Sequence, residues 1–237
     1  MNDTKQPLPL ANVIAVVGSD GSGKSTLTAD LTAQLGKDRP AELIYLGQSS
    51  GNILDGIRRL PLIGAAIGRY LVRRSERAHA GERKKADPDV PTALVIYLLS
   101  RWRYYKFRRM LALDRRGIVV IADRYPQAEV PGFYFDGPGL AATDATKGFV
   151  RWLAASELLL YQRMARHVPA LVIRLNVDAD TAFARKPDHK YAMLRDKVRV
   201  IPTLTFNAAP ILDLDGRASY PDVLEKALAA GRVAVRT

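Results

Sequence analysis

The sequence predicts an α/β fold in which a parallel sheet of five strands is flanked by helices. Three observations carry that expectation. Short, wholly apolar runs such as Ile118-Val-Val-Ile-Ala122 read as strands buried on both faces. These runs alternate with segments of helical spacing, the pattern of parallel strands joined by right-handed crossovers. The first run, Val13 to Val17, leads directly into a glycine-rich turn that opens a helix. At 237 residues, with 48% hydrophobic and 25% charged content, the chain suits one such domain. It contains no internal repeat.

The turn is Gly18-Ser19-Asp20-Gly21-Ser22-Gly23-Lys24-Ser25-Thr26. It matches G-x-x-x-x-G-K-[ST], the phosphate-binding loop, in the required order of strand, turn and helix. Its glycines let the backbone curl against a polyphosphate, and the amides at the helix start point at it. Lys24 is placed to bridge β- and γ-phosphates, and the Ser25 hydroxyl to ligate Mg²⁺. A plain glycine-rich turn would give no reason for Lys24 and Ser25. The helix continues through Leu27, Leu31 and Leu35.

Glu42 to Leu46 reads as a short second strand between Pro40 and Gly47, followed by the loop Gly47 to Asn52. Ile53 to Arg77 mixes apolar residues with Arg58, Arg59, Arg69, Arg73 and Arg74. Its most apolar part, Leu60 to Val72, is about half the length of a membrane span and is interrupted by Pro61 and Arg69. An amphipathic helix that docks on a membrane interface or a partner stays open. His79 to Pro91 is charged and reads as a connector. Pro91 then starts a long helix to about Asp114, with Leu94, Leu98, Trp102 and Tyr105 expected on its buried face and Arg101, Tyr104 and Arg108 on a neighbouring one.

The strand Ile118 to Ala122 ends in Asp123-Arg124-Tyr125. A carboxylate there lies beside the crevice where α/β sheets bind ligands, so Asp123 is a Walker-B candidate for Mg²⁺. Pro126 to Thr143 reads as a long loop carrying Phe133, Tyr134 and Phe135, suited to stacking on a base or to core packing. A helix from Thr146 to His167 is ended by Pro169, and a fourth strand runs from Ala170 to Val177. Asp178 is expected to cap a short helix, Thr181 to Lys186. A basic cluster of Arg185, Lys186, Lys190, Arg195, Lys197 and Arg199 follows. Pro210 to Leu214 is the fifth strand, and Ser219-Tyr-Pro-Asp starts the last helix.

Composition narrows the chemistry further. Without cysteine, thiolate nucleophiles, disulfides and Cys-based metal sites are excluded, and the three histidines are far apart in sequence. The net charge is +12, and 16 Arg or Lys against 6 Asp or Glu fall between Ile53 and Arg116. Such a region attracts anions, although a solvated helical surface accounts for most of it. The polar N-terminus lacks the layout of a signal peptide, and a phosphate loop this early favours a cytoplasmic enzyme.

Three features together resemble the thymidylate kinase family of nucleoside monophosphate kinases: Gly18 to Thr26 with its internal Asp20, Tyr97-Leu-Leu-Ser-Arg101 followed by Gly117 to Tyr125, and the basic pair Arg185-Lys186 after the fourth strand. The resemblance implies a P-loop NTPase fold with strand order 2-3-1-4-5 and a mobile lid over about 185–200. It implies ATP and Mg²⁺ as cofactors and a small phosphorylated acceptor, dTMP by default. Lys24 and the loop amides would hold the donor phosphates, with Ser25 and Asp123 on the metal. Asp20 would face the acceptor's sugar, Arg101 and Phe133 would contact the acceptor, and Arg124 and Arg185 would neutralise the transferring group. The chain departs from the family where Leu46-Gly-Gln48 replaces Arg-Glu-Pro or Arg-Phe-Pro, and where Pro126 to Phe133 lacks the thymine-reading Gln segment.

Two alternatives follow from the same residues: a polyphosphate-dependent nucleotide kinase, and a nucleotide-binding interaction protein docking on an anionic membrane surface through Ile53 to Arg77. Nucleic acid is disfavoured as a partner because no recognisable module accompanies the basic tract. A homodimer stays open.

Overall fold

A computed structural model describes residues 6–48, 88–142 and 148–235. Five strands, β1 (Leu8–Gly18), β2 (Ala41–Tyr45), β3 (Val119–Asp123), β4 (His167–Asn176) and β5 (Ile211–Asp215), form one parallel sheet in the order β2-β3-β1-β4-β5. This is the topology expected from the sequence. Among the described residues the helices are α1 (Lys24–Leu35), α2 (Val90–Arg115), α3 (Gly148–Ala165), α4 (Ala179–Arg185), α5 (Tyr191–Val200) and α6 (Tyr220–Ala234).

The alternation of side chains along β1 divides the core in two. Val13, Ala15 and Val17 face a cluster with Phe107, Met110 and Leu113 of α2 and Tyr161 and Met164 of α3. Ile14 and Val16 face the opposite cluster, with Leu27, Leu31 and Leu35 of α1 and Val223 and Ala227 of α6. Both faces of the central strands are therefore covered, which is why they read as unbroken apolar runs. Register fixes the working edge: Val16 and Tyr45 both lie opposite Asp123, and Gly18 lies opposite Leu175. The carboxyl ends of β1, β2, β3 and β4 thus meet where the phosphate loop begins.

The structure shifts several boundaries. β4 starts at His167, with Pro169 inside it rather than before it. α2 is capped by Asp89, whose carboxylate accepts from the Thr92 amide at 3.2 Å, with Pro91 in the first turn. The main correction concerns the buried face of α2. Leu94, Leu98, Trp102 and Tyr105 are 40–62% exposed. The buried stripe is Ala93, Ile96, Ser100, Arg103, Phe107 and Met110, at equally helical spacing. Hydropathy chose the wrong stripe because two polar residues, Ser100 and Arg103, interrupt the true one, and they do so for a reason given below.

The loop after β3 is held by Gln127, which is almost fully buried. Its amide donates to the Val130 and Phe135 carbonyls, and its Oε1 accepts from the Glu129 and Val130 amides. Two short 3₁₀ turns, Phe133–Phe135 and Leu140–Ala142, complete it. Of the 185–200 span, α5 is anchored by Leu194, fully buried against Val177 and Ala182. The Ile53 to Arg77 segment, for which docking on a membrane or a partner was left open, lies outside the described residues, as does the Phe133 side chain. No helix among the described residues is long and apolar enough to cross a membrane.

Candidate active site

The phosphate loop spans the gap between the end of β1 and α1. Gly23 takes a left-handed conformation (φ 96°) and caps α1 without any side-chain bond, so the first amides of the helix are not covered by a capping side chain. Gly21 (φ 82°) lies so close to α4 that a Cβ there would sit 2.6 Å from the Ala182 carbonyl oxygen. Lys24 is buried, and its amine donates back to the Ser19 carbonyl at 2.5 Å. Burial pushes its pKa down to about 8, with nearby Arg124 acting in the same direction. The buried hydroxyls of Ser19 and Ser22 have no partner. The loop is a cluster of donors with little to donate to.

Asp123 ends β3 beside the loop. It is nearly buried, its Oδ1 has no partner, and burial raises its pKa against the pull of Lys24 and Arg124. Among the described residues no three His, Asp or Glu side chains gather as a metal cage. Mg²⁺ does not need one: it takes one or two carboxylates and completes its shell with water and substrate phosphates. An orphaned carboxylate oxygen facing Lys24, with exposed Ser25 at the start of α1, fits that mode of binding.

Arg124 follows in the left-handed region (φ 65°), a conformation costing a non-glycine residue of order 1 kcal/mol and typical of functional turns. Its guanidinium meets Asp20 of the loop at 2.5 Å and Asp136 at 3.8 Å. The second oxygen of Asp20 accepts from Lys197 of α5. Burial opposes ionisation of Asp20, but Lys197, Arg124 and Lys24 together hold its carboxyl far below the usual range. Asp20 thus pairs with two cations here; the resemblance implies an acceptor sugar as its partner.

Behind this lies the buried network that explains the polar stripe of α2. Arg103, with 0% exposure, donates to Asp136 Oδ1 at 2.9 Å, to the Tyr161 hydroxyl at 3.3 Å and to the Arg124 carbonyl at 3.4 Å. Gln48, just past β2, donates to Ser100 (3.0 Å) and Tyr161 (2.9 Å). Ser100 donates to Glu157 at 2.5 Å, and the other oxygen of Glu157 accepts from the Leu140 amide. Lys106 donates to the Gly47 carbonyl at 2.6 Å; burial, reinforced by Arg103, lowers its pKa to about 8.

The structure therefore brings together Gly18 to Thr26, Asp123 and Arg124, as the sequence suggests. It does not bring Arg101 to them: that side chain is exposed on α2. Arg185 donates to the carbonyls of Gly21 (3.3 Å) and Gly216 (2.9 Å), on the far side of the loop from Asp123. There it walls a cavity of about 280 Å³ with Ser22, Thr26, Leu175, Tyr220 and Val223. The sequence did not single out Arg103, Lys106 or Asp136, and Lys197 stood there only as one member of a basic cluster. A helical stripe running Ile96, Ser100, Arg103, Phe107 and Met110 was the available signal for the first, since polar residues within an otherwise apolar stripe mark a site.

No family model matches the chain. It is 56% identical over 218 residues, 92% of this chain and 91% of the relative, to the uncharacterized ATP-binding protein YghS of Escherichia coli strain K12. To the uncharacterized ATP-binding protein YghR of the same strain it is 43% identical over 229 residues, 96% of this chain and 90% of the relative. Among solved structures it is similar to a deoxyadenosine kinase from M. mycoides with dCMP and dCDP bound. The TM-score is 0.53 at 13% identity, covering 93% of this chain and 99% of the other. That likeness is one of fold, the P-loop nucleoside kinase fold.

Proposed function

The chain belongs to the family of the Escherichia coli proteins YghS and YghR, and we propose that it is an ATP- and Mg²⁺-dependent phosphotransferase acting on a small phosphorylated or hydroxylated acceptor. The observation that carries this is the meeting of the phosphate loop with Asp123 and Arg124 at one edge of the sheet. Asp123 with Ser25 would serve any Mg·nucleotide; Arg124, a second cation held at the loop beside Lys24, is the group that transfer calls for. The relatives' designation as ATP-binding proteins supports the donor, and the kinase fold supports transfer.

In this function Lys24 and the amides at the start of α1 bind and orient the donor phosphates, while Ser25 and Asp123 hold Mg²⁺. The metal would supply charge neutralisation at the phosphates. Phosphoryl transfer is mainly positioning and neutralisation of spread-out charge, which is what these groups provide. The cavity beside the loop suits the donor's base: Leu27, Leu175, Ala218 and Val223 give it apolar walls, and Arg185 a planar cation. An inorganic polyphosphate would have no use for apolar walls, so the cavity favours ATP over the polyphosphate alternative.

The acceptor side lies toward Gln48, Arg103 and Lys106, with Lys106 supplying a cation where the thymidylate kinase family places an arginine after its second strand. dTMP is the default acceptor. A transfer assay with ATP against dTMP, other nucleoside monophosphates, nucleosides and sugar phosphates tests the assignment. Turnover of another acceptor with none of dTMP would remove the default and keep the transferase; no turnover of any would remove the transferase. A homodimer would pack on the exposed Leu94, Leu98, Trp102 and Tyr105 of α2. Sedimentation equilibrium of Trp102→Glu beside the wild type tests this, with an unchanged mass arguing against it.

A further inference from the structure

We propose that Lys197 of α5 is a second cation for the terminal phosphoryl group of the donor, held by Asp20 until the donor arrives. The inference rests on the ATP-dependent function above. α5 carries several basic residues, and the others behave as a solvated surface: the Arg195 and Arg199 side chains are 66% and 79% exposed. The Lys197 side chain is 6% exposed. A lysine that deep is rare without a partner, and burial lowers its pKa.

Its partner is Asp20, inside the loop whose amides face the phosphates. The same carboxylate holds Arg124, and Lys24 acts on it electrostatically. A carboxylate is an anion that only accepts hydrogen bonds, as a phosphoryl group is. Asp20 thus stands in charge and position as a surrogate for the group that Lys24 and Arg124 are placed to meet. A terminal phosphate entering among these three cations offers Lys197 a more highly charged acceptor at the same spot. Leu194, buried one turn earlier, fixes α5 against Val177 and Ala182, so the amine is presented from a packed helix. Tyr134 adds its ring 6.0 Å from the amine. Arg185 cannot share this duty while it holds the Gly21 and Gly216 carbonyls on the cavity side.

Calorimetric titration of the full chain with Mg·ATP and Mg·ADP tests the assignment. Lys197→Met is expected to lose roughly ten- to a hundredfold in ATP affinity, the worth of a charge-assisted bond. Its ADP affinity should stay within about twofold of wild type, since ADP lacks the group in question. Lys197→Arg should keep most of the preference for ATP. Equal losses for both nucleotides, or no loss, would overturn the role of Lys197 and leave the transferase standing. Failure of the wild type to bind either nucleotide would overturn both. Should Lys197→Met fail to fold, Lys197→Gln carries the test, with the same loss expected for ATP and not for ADP, and an unchanged ratio of the two affinities would end the proposal.

Discussion

Single residues in this site are held at a cost to the fold. Asp123 is the clearest, a buried carboxylate with one oxygen unpartnered and its pKa raised chiefly by burial. Its ionised form opposes folding at neutral pH, because its folded pKa lies above the unfolded value. Asp123→Asn is therefore expected to stabilise the free protein by about 1 kcal/mol, a rise of a few degrees in Tm. The same change should abolish Mg²⁺-dependent transfer. Thermal melts beside a transfer assay check it, and a lower Tm would remove the strain argument. Lys24 gives a pH signature. Its pKa of about 8 must rise when a polyphosphate binds, so binding takes up a proton near and above that pH. ATP affinity should fall as pH rises through 8, by up to about tenfold per pH unit. Lys106, also near 8, and Lys197, whose pKa burial likewise lowers, would respond in the same direction, so the test compares wild type with Lys24→Met. A pH slope that persists in Lys24→Met would assign it elsewhere.

At the scale of elements, the site depends on how α2 and α4 meet the loop. Arg103→Met would leave Asp136 and the Tyr161 hydroxyl without their buried cation. A loss of about 3 kcal/mol is expected, seen as a fall of roughly 10 °C in Tm; a fall of 2 °C or less would show that the network is not structural. Gly21→Ala should cost stability as well, since its Cβ would meet the Ala182 carbonyl and φ 82° disfavours any side chain. This is also where legibility in the sequence divides. β1 and β3 were recognisable from the unbroken apolar runs Val13 to Val17 and Val119 to Ala122, while β2, β4 and β5, which carry Glu42, Arg174 and Asp213, were placed by their remaining apolar residues and the prolines and glycines that flank them. The loop, Asp123 and Arg124 were recognisable because local order of strand, turn and helix fixes their place. The network was not, because Arg103, Asp136, Gln48 and the pair Glu157 and Tyr161 come from four separate segments that only the packed fold unites. Arg101 was named through its place in the Tyr97 to Arg101 motif of the resemblance, and two residues on, about 200° around the helix, Arg103 is the one that faces the interior.

For the whole molecule, sheet order decides what is adjacent. Placing β1 between β3 and β4 sets the loop between Asp123-Arg124 on one side and the Arg185 cavity on the other. In the proposed function donor base and acceptor take opposite flanks of one loop, which is the geometry a two-substrate transferase needs. The most direct test of that account is transfer of label from γ-labelled ATP, with Mg²⁺, to a panel of small acceptors by wild type and by Lys24→Ala of equal thermal stability. Labelled product from the wild type alone is the predicted result; no product with any acceptor, or the same yield from both proteins, would contradict it.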